Sequence, residues 1–232
     1  MSAKLLRAYI EPILKANIPH LKNIRLGTKV LGFWPYRFVS DKDTKELLDL
    51  FKEIVDNGYH LAFMAHFNHY KELETNIVKE AIKNIQKTGA IIRTQAPILN
   101  HINASSDVWE KMWKMQVSLG MIPYYMFMPR DTGAKHYFEI SLYDAWKVYK
   151  NAIQNVSGLA RTVRGPSMSA YPGKVAVVGV SEINNQKVFV LNMLQAKDPN
   201  LVDIPFFAKF DPKATWVDEL EPAFSDKFIF EK

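Results

Sequence analysis

The alternation of short apolar segments with amphipathic helical segments is the feature of this 232-residue sequence that most constrains its fold. Four segments have the pattern of buried strands, at residues 23–30, 60–67, 90–99 and 121–128, and helical patterns of about three turns connect them. Strands that alternate with helices over short connections are typical of βαβ units and a parallel sheet. The sequence therefore predicts an α/β fold that is a barrel or part of one.

The pattern changes after Met128. One more helix is predicted at residues 141–158, followed by two apolar segments that flank Asn184 and Asn185 and so favour a β-hairpin. The tail at residues 205–224 is rich in proline and aromatic residues and is predicted to wrap irregularly over the domain. The predicted domains are residues 1–130, part of a (βα) barrel, and residues 131–232, a helix, a hairpin and an extension.

The composition excludes several kinds of site and partner. The chain has no cysteine, so it cannot by itself form disulfides, thiolate zinc sites or an iron–sulfur cluster. Its apolar runs are too short for a bilayer and its start lacks a signal-peptide pattern, so we expect a cytoplasmic protein without a membrane partner. The net charge of +6 comes from lysines spread along helices, and no nucleic-acid partner is expected.

Polar side chains follow the predicted strands, where a parallel sheet gathers its ligands. His66, Asn68 and His69 come at the end of the second strand, and Lys29 and Gln95 come near the ends of its two neighbours. Ligands of parallel α/β sheets bind at the carboxyl ends of the strands. This edge of the sheet is therefore the predicted active site.

Two other chemistries are open for the histidines. His69 and Glu74 have an H-x4-E spacing, similar to the H-x4-D pair of glycerolipid acyltransferases, in which a carboxylate orients a histidine base. His66 and His69 could also ligate a metal ion, but the sequence offers no third ligand nearby and no metal site is predicted.

Several motifs of the chain resemble, in order, the second half of the lysine 2,3-aminomutase family. They are "IPHLKNIRLGTKV", "HFNHYKE", "RTQAPILNHIN", "GMIPYYMF" and "PGK". Members of that family are radical S-adenosylmethionine enzymes that also use pyridoxal phosphate. The resemblance implies a partial (βα) barrel of the radical S-adenosylmethionine type with a C-terminal β-hairpin and an irregular wrap.

The resemblance also implies which residues bind the cofactors. His66 and Gln95 match residues that line the cavity shared by S-adenosylmethionine and pyridoxal phosphate, and Asn68 and His69 match the same motif and shape its turn. Lys174, in "PGK", matches the lysine that holds pyridoxal phosphate as a Schiff base. A lysine that enters a buried strand is desolvated, which favours the neutral amine that attacks an aldehyde.

Two motifs of the family are missing from the sequence. The family holds its 4Fe-4S cluster with a C-x3-C-x2-C loop and has a Gly-Gly-Asp segment, and this chain has neither. The chain therefore resembles the C-terminal portion of such an enzyme, whose cluster would require a missing N-terminal half. A partial barrel exposes a strand edge, so we expect self-association into a homo-oligomer or a partner polypeptide that supplies the missing half.

Two positions bear on the amino acid substrate. Lysine-specific members hold the remote ammonium group with two aspartates, and the matching positions here are Arg130 and Ser167. An arginine can bind a carboxylate with two parallel hydrogen bonds, so a glutamate-like or neutral polar substrate is expected rather than lysine. A one-residue shift would instead place Asp131 at the first position and favour lysine.

The sequence-based hypothesis is a radical 2,3-aminomutase that moves an amino group between adjacent carbons of an amino acid. Alone, the chain is expected to be inactive, because it has no cysteine to hold the cluster. The alternatives are a non-catalytic pyridoxal phosphate- or nucleotide-binding derivative of the same scaffold, and the H-x4-E acyltransferase.

Overall fold

The computed structural model of the chain describes residues 2–130 and 133–231, with the backbone alone for residue 135. It contains two compact units, Met1–Gln95 with Met112–Pro123 and Ala96–Lys111 with Tyr124–Lys232, here called the first and the second unit. The α-helices of the described residues are α1 (Ala3–Ala16), α2 (Val30–Phe33), α3 (Thr44–Asp56), α4 (Asn76–Lys87), α5 (Ser106–Ser118), α6 (Lys135–Phe138) and α7 (Leu142–Gln154). The strands are β1 (Asn23–Thr28), β2 (His60–His66), β3 (Ile91–Pro97), β4 (Ile122–Phe127), β5 (Arg164–Ala170), β6 (Gly173–Ile183), β7 (Gln186–Ala196) and β8 (Pro205–Lys209).

The predicted α/β class is confirmed. Within the described residues, neighbouring strands of each unit follow chain order, β1 to β3 in the first unit and β4 to β8 in the second. Each of the four predicted barrel strands is present, and the helices between them end near glycines. Gly58, Gly89 and Gly120 have φ of 83°, 86° and 73°, the left-handed conformation that ends a helix without the steric cost that a side chain would add.

The first unit contains three parallel strands with one face against helices. β1 pairs with β2 and β2 pairs with β3, both in parallel. Phe63 of β2 packs against Phe51 of α3 and against Phe38, with ring centroids 5.9 Å and 5.5 Å away. Leu61, Phe63 and Ala65 are at most 1% exposed, and Ala62 and Met64 between them are buried too, so β2 is a central strand covered on both faces.

The second unit continues from parallel to antiparallel pairing. β4 and β5 are parallel, whereas β5, β6, β7 and β8 pair antiparallel in sequence. The predicted hairpin is confirmed, because β6 and β7 are joined by Asn184 and Asn185. Both asparagines have positive φ, 51° and 59°, as the two central residues of the common type I′ hairpin turn require.

The tail departs from the irregular wrap predicted for it. Residues Pro205–Lys209 form strand β8, which pairs with β7. Phe206 and Ala208 are buried while their neighbours are more exposed, so the segment has the alternation of a strand with one covered face. Strand β5 was also not predicted, because its glycine, proline and two serines weaken the strand pattern. The domain boundary predicted at residue 130 stays a prediction.

The longest of the described helices, α1, has 14 residues. No helix within residues 2–130 and 133–231 is long and apolar enough to cross a membrane.

Candidate functional site

The predicted histidine site lies in the first unit, at the carboxyl ends of its parallel strands. His66 is the last residue of β2 and is the register partner of Gln95 in β3. Register partners of parallel strands project from the same face of the sheet, and both residues are partly buried. Lys29 directly follows β1 at the same edge. The structure therefore brings His66, Gln95 and Lys29 to one edge, as the sequence predicts.

His66 is held as a neutral imidazole. Burial and, to a smaller extent, the positive charge of Lys29 together lower its pKa from 6.5 to about 4, against an opposing hydrogen bond with Asn68. The His66 Nε2 atom lies 3.0 Å from Asn68 Oδ1. Because a carbonyl oxygen only accepts, the imidazole donates from Nε2 in this contact.

The turn after β2 is organised by Glu72, a residue that the sequence analysis did not select. One carboxylate oxygen of Glu72 accepts hydrogen bonds from the backbone N–H groups of Asn68, at 2.6 Å, and His69, at 3.1 Å. The Nδ1 atom of His69 accepts from the backbone N–H of Lys71, at 3.1 Å, which completes a capping box over the turn Tyr70–Leu73. The spacing of three residues between His69 and Glu72 is the sequence signal for this arrangement.

The acyltransferase alternative requires His69 and Glu74 to form a pair, and their contacts do not have that form. Glu74 instead pairs with Lys71, with 3.0 Å between its carboxylate and the lysine Nζ. His69 uses its Nδ1 atom to accept the backbone hydrogen bond of the turn. The geometry thus gives His69 a capping role rather than that of a base oriented by Glu74.

Among the residues described, no group of three or more histidine and acidic side chains could hold a metal ion.

Lys174 lies in the second unit, directly after Gly173 at the start of β6. Gly173 has φ of 150°, and a Cβ atom at this position would collide with the backbone carbonyl of Gln195. The position therefore requires glycine. The Lys174 Nζ atom lies 4.1 Å from the centroid of the Tyr125 ring, which is 5% exposed. The amine is thus held against a buried aromatic face rather than extended into solvent.

The two positions predicted to select the substrate also lie in the second unit. Ser167 of β5 is 1% exposed, and its hydroxyl donates to the Met126 carbonyl at 3.4 Å. Arg130 is exposed and ends the first described stretch of the chain. Asp131, the alternative to Arg130, lies outside the described residues. The roles of Arg130 and Ser167 in substrate binding stay predictions.

No protein-family model matches the chain. Curated proteins are nevertheless similar over much of its length. The chain is 32% identical over 212 residues to a protein named "Putative L-lysine 2,3-aminomutase" from Aquifex aeolicus. The aligned region covers 90% of this chain and 54% of that protein. It is 30% identical over 155 residues to "Glutamate 2,3-aminomutase" from Clostridioides difficile. That aligned region covers 66% of this chain and 34% of that protein.

A third similar protein carries a related name. The chain is 26% identical over 162 residues to "L-lysine 2,3-aminomutase" from Haemophilus influenzae. The aligned region covers 67% of this chain and 45% of that protein. The chain thus spans about half, or less, of the length of these relatives.

Proposed function

Because the chain belongs to the lysine 2,3-aminomutase family, we propose that it is the C-terminal portion of an amino acid 2,3-aminomutase that uses pyridoxal phosphate and S-adenosylmethionine. Such an enzyme moves an amino group between adjacent carbons of an amino acid. The whole reaction requires residues that this chain does not contain, so the proposal assigns to it the binding of the substrate and of two cofactors.

The position of Lys174 is the observation that carries the proposal. Its amine is placed by a glycine that cannot be replaced without a backbone collision, and it rests on the buried ring of Tyr125. A lysine in a partly desolvated place with a fixed direction suits the capture of an aldehyde such as pyridoxal phosphate. When bound, that cofactor would carry the nitrogen that migrates between the two carbons of the substrate. The part of Lys174 is to hold the cofactor in one orientation.

The edge of the first unit suits the binding of S-adenosylmethionine. His66 is neutral at pH 7, with its proton fixed on Nε2 by Asn68. The neutral imidazole of His66, the amide of Gln95 and the positive charge of Lys29 together offer two polar groups and a cation for an amino acid moiety. The Glu72 cap fixes the turn that carries Asn68 and His69.

The donor set does not fit the family's iron–sulfur cluster. A 4Fe-4S cluster is held by cysteine thiolates, and the chain has no cysteine. No step through the cluster is therefore assigned to this chain, and the cluster would have to be held by cysteines outside this sequence. Size-exclusion chromatography with light scattering tests the need for a partner. Self-association, or a complex with a cysteine-bearing chain, is expected, and a stable isolated monomer would contradict it.

The cofactor assignment is tested by trapping. The chain is mixed with pyridoxal phosphate, reduced with borohydride and mapped by mass spectrometry. We expect the adduct on Lys174 and its loss in Lys174→Ala. Lys197 is a matched control, because its Nζ also lies close to a tyrosine ring, at 3.9 Å, but that tyrosine, Tyr171, is exposed. Equal labelling of Lys174→Ala and the wild type would show that Lys174 does not hold the cofactor.

For the substrate we propose an acidic or neutral polar amino acid, with a glutamate-like molecule preferred over lysine. Arg130 supplies the positive charge for a side-chain carboxylate. One relative, from Clostridioides difficile, is named glutamate 2,3-aminomutase. A competition assay on the cofactor-loaded chain with glutamate, lysine and alanine should give a preference for glutamate that Arg130→Ala removes. A preference for lysine that Arg130→Ala leaves unchanged would refute this choice.

A second candidate is a non-catalytic protein of the same scaffold that binds pyridoxal phosphate or a nucleotide. The lack of cysteine favours it, because the chain alone cannot initiate the radical reaction of the family. The two candidates differ when a cysteine-bearing partner with an intact cluster is added. Amino group migration in the mixture, lost in Lys174→Ala, supports the enzyme, and binding without migration supports the second candidate.

A further inference from the structure

A tyrosine and an arginine that the sequence analysis did not select lie beside Lys174 in the second unit. Tyr125 of β4 and Arg164 of β5 are register partners in parallel strands, so their side chains project from the same face of the sheet. Tyr125 is 5% exposed, whereas Arg164 is exposed at the start of its strand. The pair therefore extends from the core of the unit to solvent.

Tyr125 contacts a different cation with each part of its side chain. Its ring faces the Lys174 Nζ atom at 4.1 Å from the centroid, a distance at which a cation is attracted to the ring face. Its hydroxyl interacts with the guanidinium of Arg164. Burial raises the pKa of Tyr125, the neighbouring Tyr124 raises it further and Arg164 opposes both, so the hydroxyl stays protonated at neutral pH.

The side chain of Arg164 is exposed to solvent. Of the residues that the structure describes, no acidic side chain forms an ion pair with Arg164. A guanidinium has five N–H donors in a planar fork that matches the oxygens of a phosphate or a carboxylate. One contact with a phenol hydroxyl leaves donors that can bind an anion.

We infer that Tyr125 is a positioning residue for the amine of Lys174, and that Arg164 binds the phosphate of an aldehyde that Lys174 captures. The inference rests on the proposed function of Lys174 and adds two residues to it. The reactive amine lies over the ring of Tyr125, and the anion-binding fork lies at the hydroxyl of the same side chain. A phosphate-bearing aldehyde is then the ligand class that uses both cations, and an uncharged aldehyde uses only the amine.

The covalent step is simple. The Lys174 amine adds to the aldehyde carbon, a carbon–nitrogen double bond forms and water leaves. Borohydride then donates hydride to that bond, which leaves a stable secondary amine that mass spectrometry can locate. Labelling with pyridoxal phosphate and with pyridoxal, which lacks the phosphate, separates capture of the aldehyde from recognition of the anion.

The test compares the two aldehydes on four variants. Wild-type chain should bind pyridoxal phosphate about tenfold more tightly than pyridoxal, as expected for charge-assisted hydrogen bonds to a phosphate. Arg164→Gln should remove this preference. Arg161→Gln, at an exposed arginine of the turn Ala160–Thr162, should retain it. Tyr125→Phe keeps the ring and should retain labelling of Lys174, whereas Tyr125→Leu should slow labelling by both aldehydes.

The outcomes separate the inference from the proposed function. If Lys174 is labelled but Arg164→Gln prefers the phosphate as strongly as the wild type, the role of Arg164 is wrong. If Tyr125→Leu is labelled as fast as Tyr125→Phe, the positioning role of Tyr125 is wrong. If neither aldehyde labels Lys174 in the wild type, the proposed function itself fails, and this inference fails with it.

Discussion

The neutral state of His66 makes the stability of the protein depend on pH. The folded chain lowers the pKa of His66 from 6.5 to about 4, mainly by burial and then by the charge of Lys29. Between these two values the unfolded chain binds a proton that the folded chain excludes. The free energy of unfolding therefore falls as the pH falls from about 6.5 to 4, and this contribution is constant above that range.

The size of the effect follows from the same two values. At pH 5 the His66 of an unfolded chain is almost fully protonated and that of the folded chain is almost fully neutral, which corresponds to about 2 kcal/mol. Because the side chain is only partly buried, screening by solvent lowers the expected value to about 1 to 2 kcal/mol. Lys29→Gln should make this loss smaller, since it removes the second cause of the shift.

Urea unfolding at pH 7.5 and pH 5.0 measures this loss. His66→Gln retains a side chain that can hydrogen-bond but cannot be protonated in this range. Between pH 7.5 and pH 5.0 its free energy of unfolding should therefore fall less than that of the wild type, and the two losses should differ by about 1 to 2 kcal/mol. The control is His60→Gln at the exposed, opposite end of β2, which should lose as much as the wild type. An equal loss in His66→Gln and the wild type would refute the reasoning.

Three other predictions concern stability. Glu72→Ala removes a carboxylate that accepts two backbone hydrogen bonds and should lower the free energy of unfolding by about 1 kcal/mol, with Glu72→Gln less affected. Thr94→Val should cost about 1 to 3 kcal/mol in urea unfolding, because it leaves the buried Gln116 without the hydroxyl that donates to it at 2.7 Å; Thr94→Ser should restore most of the loss. Gly173→Ala should cost about 3 kcal/mol in thermal or urea unfolding, since it adds a side chain at a positive φ against the Gln195 carbonyl. Wild-type stability in any of these variants would contradict the corresponding contact.

Local patterns in the sequence determined the element order and much of the first candidate site. Apolar periodicity indicates the four strands and the helices between them, and Gly58, Gly89 and Gly120, which have positive φ, follow the ends of three of those helices. The asparagines of the hairpin turn are a signal of the same local kind. His66 and Gln95 were placed at one edge because the carboxyl ends of parallel strands meet there, and their register confirms this.

Contacts between distant parts of the chain had to come from the tertiary structure. Strand β8, which begins with a proline, gains its hydrogen bonds from β7, and a local pattern cannot indicate that partner. The contact of Lys174 with Tyr125 joins residues about fifty positions apart, and no local pattern indicates which ring a lysine will meet. Ser167, selected by counting along the sequence, is buried against Met126 because the pairing of β4 with β5 decides which face it occupies. Sequence periodicity thus specifies which segments become strands, whereas strand pairing and register decide which side chains meet, because both depend on the rest of the sheet.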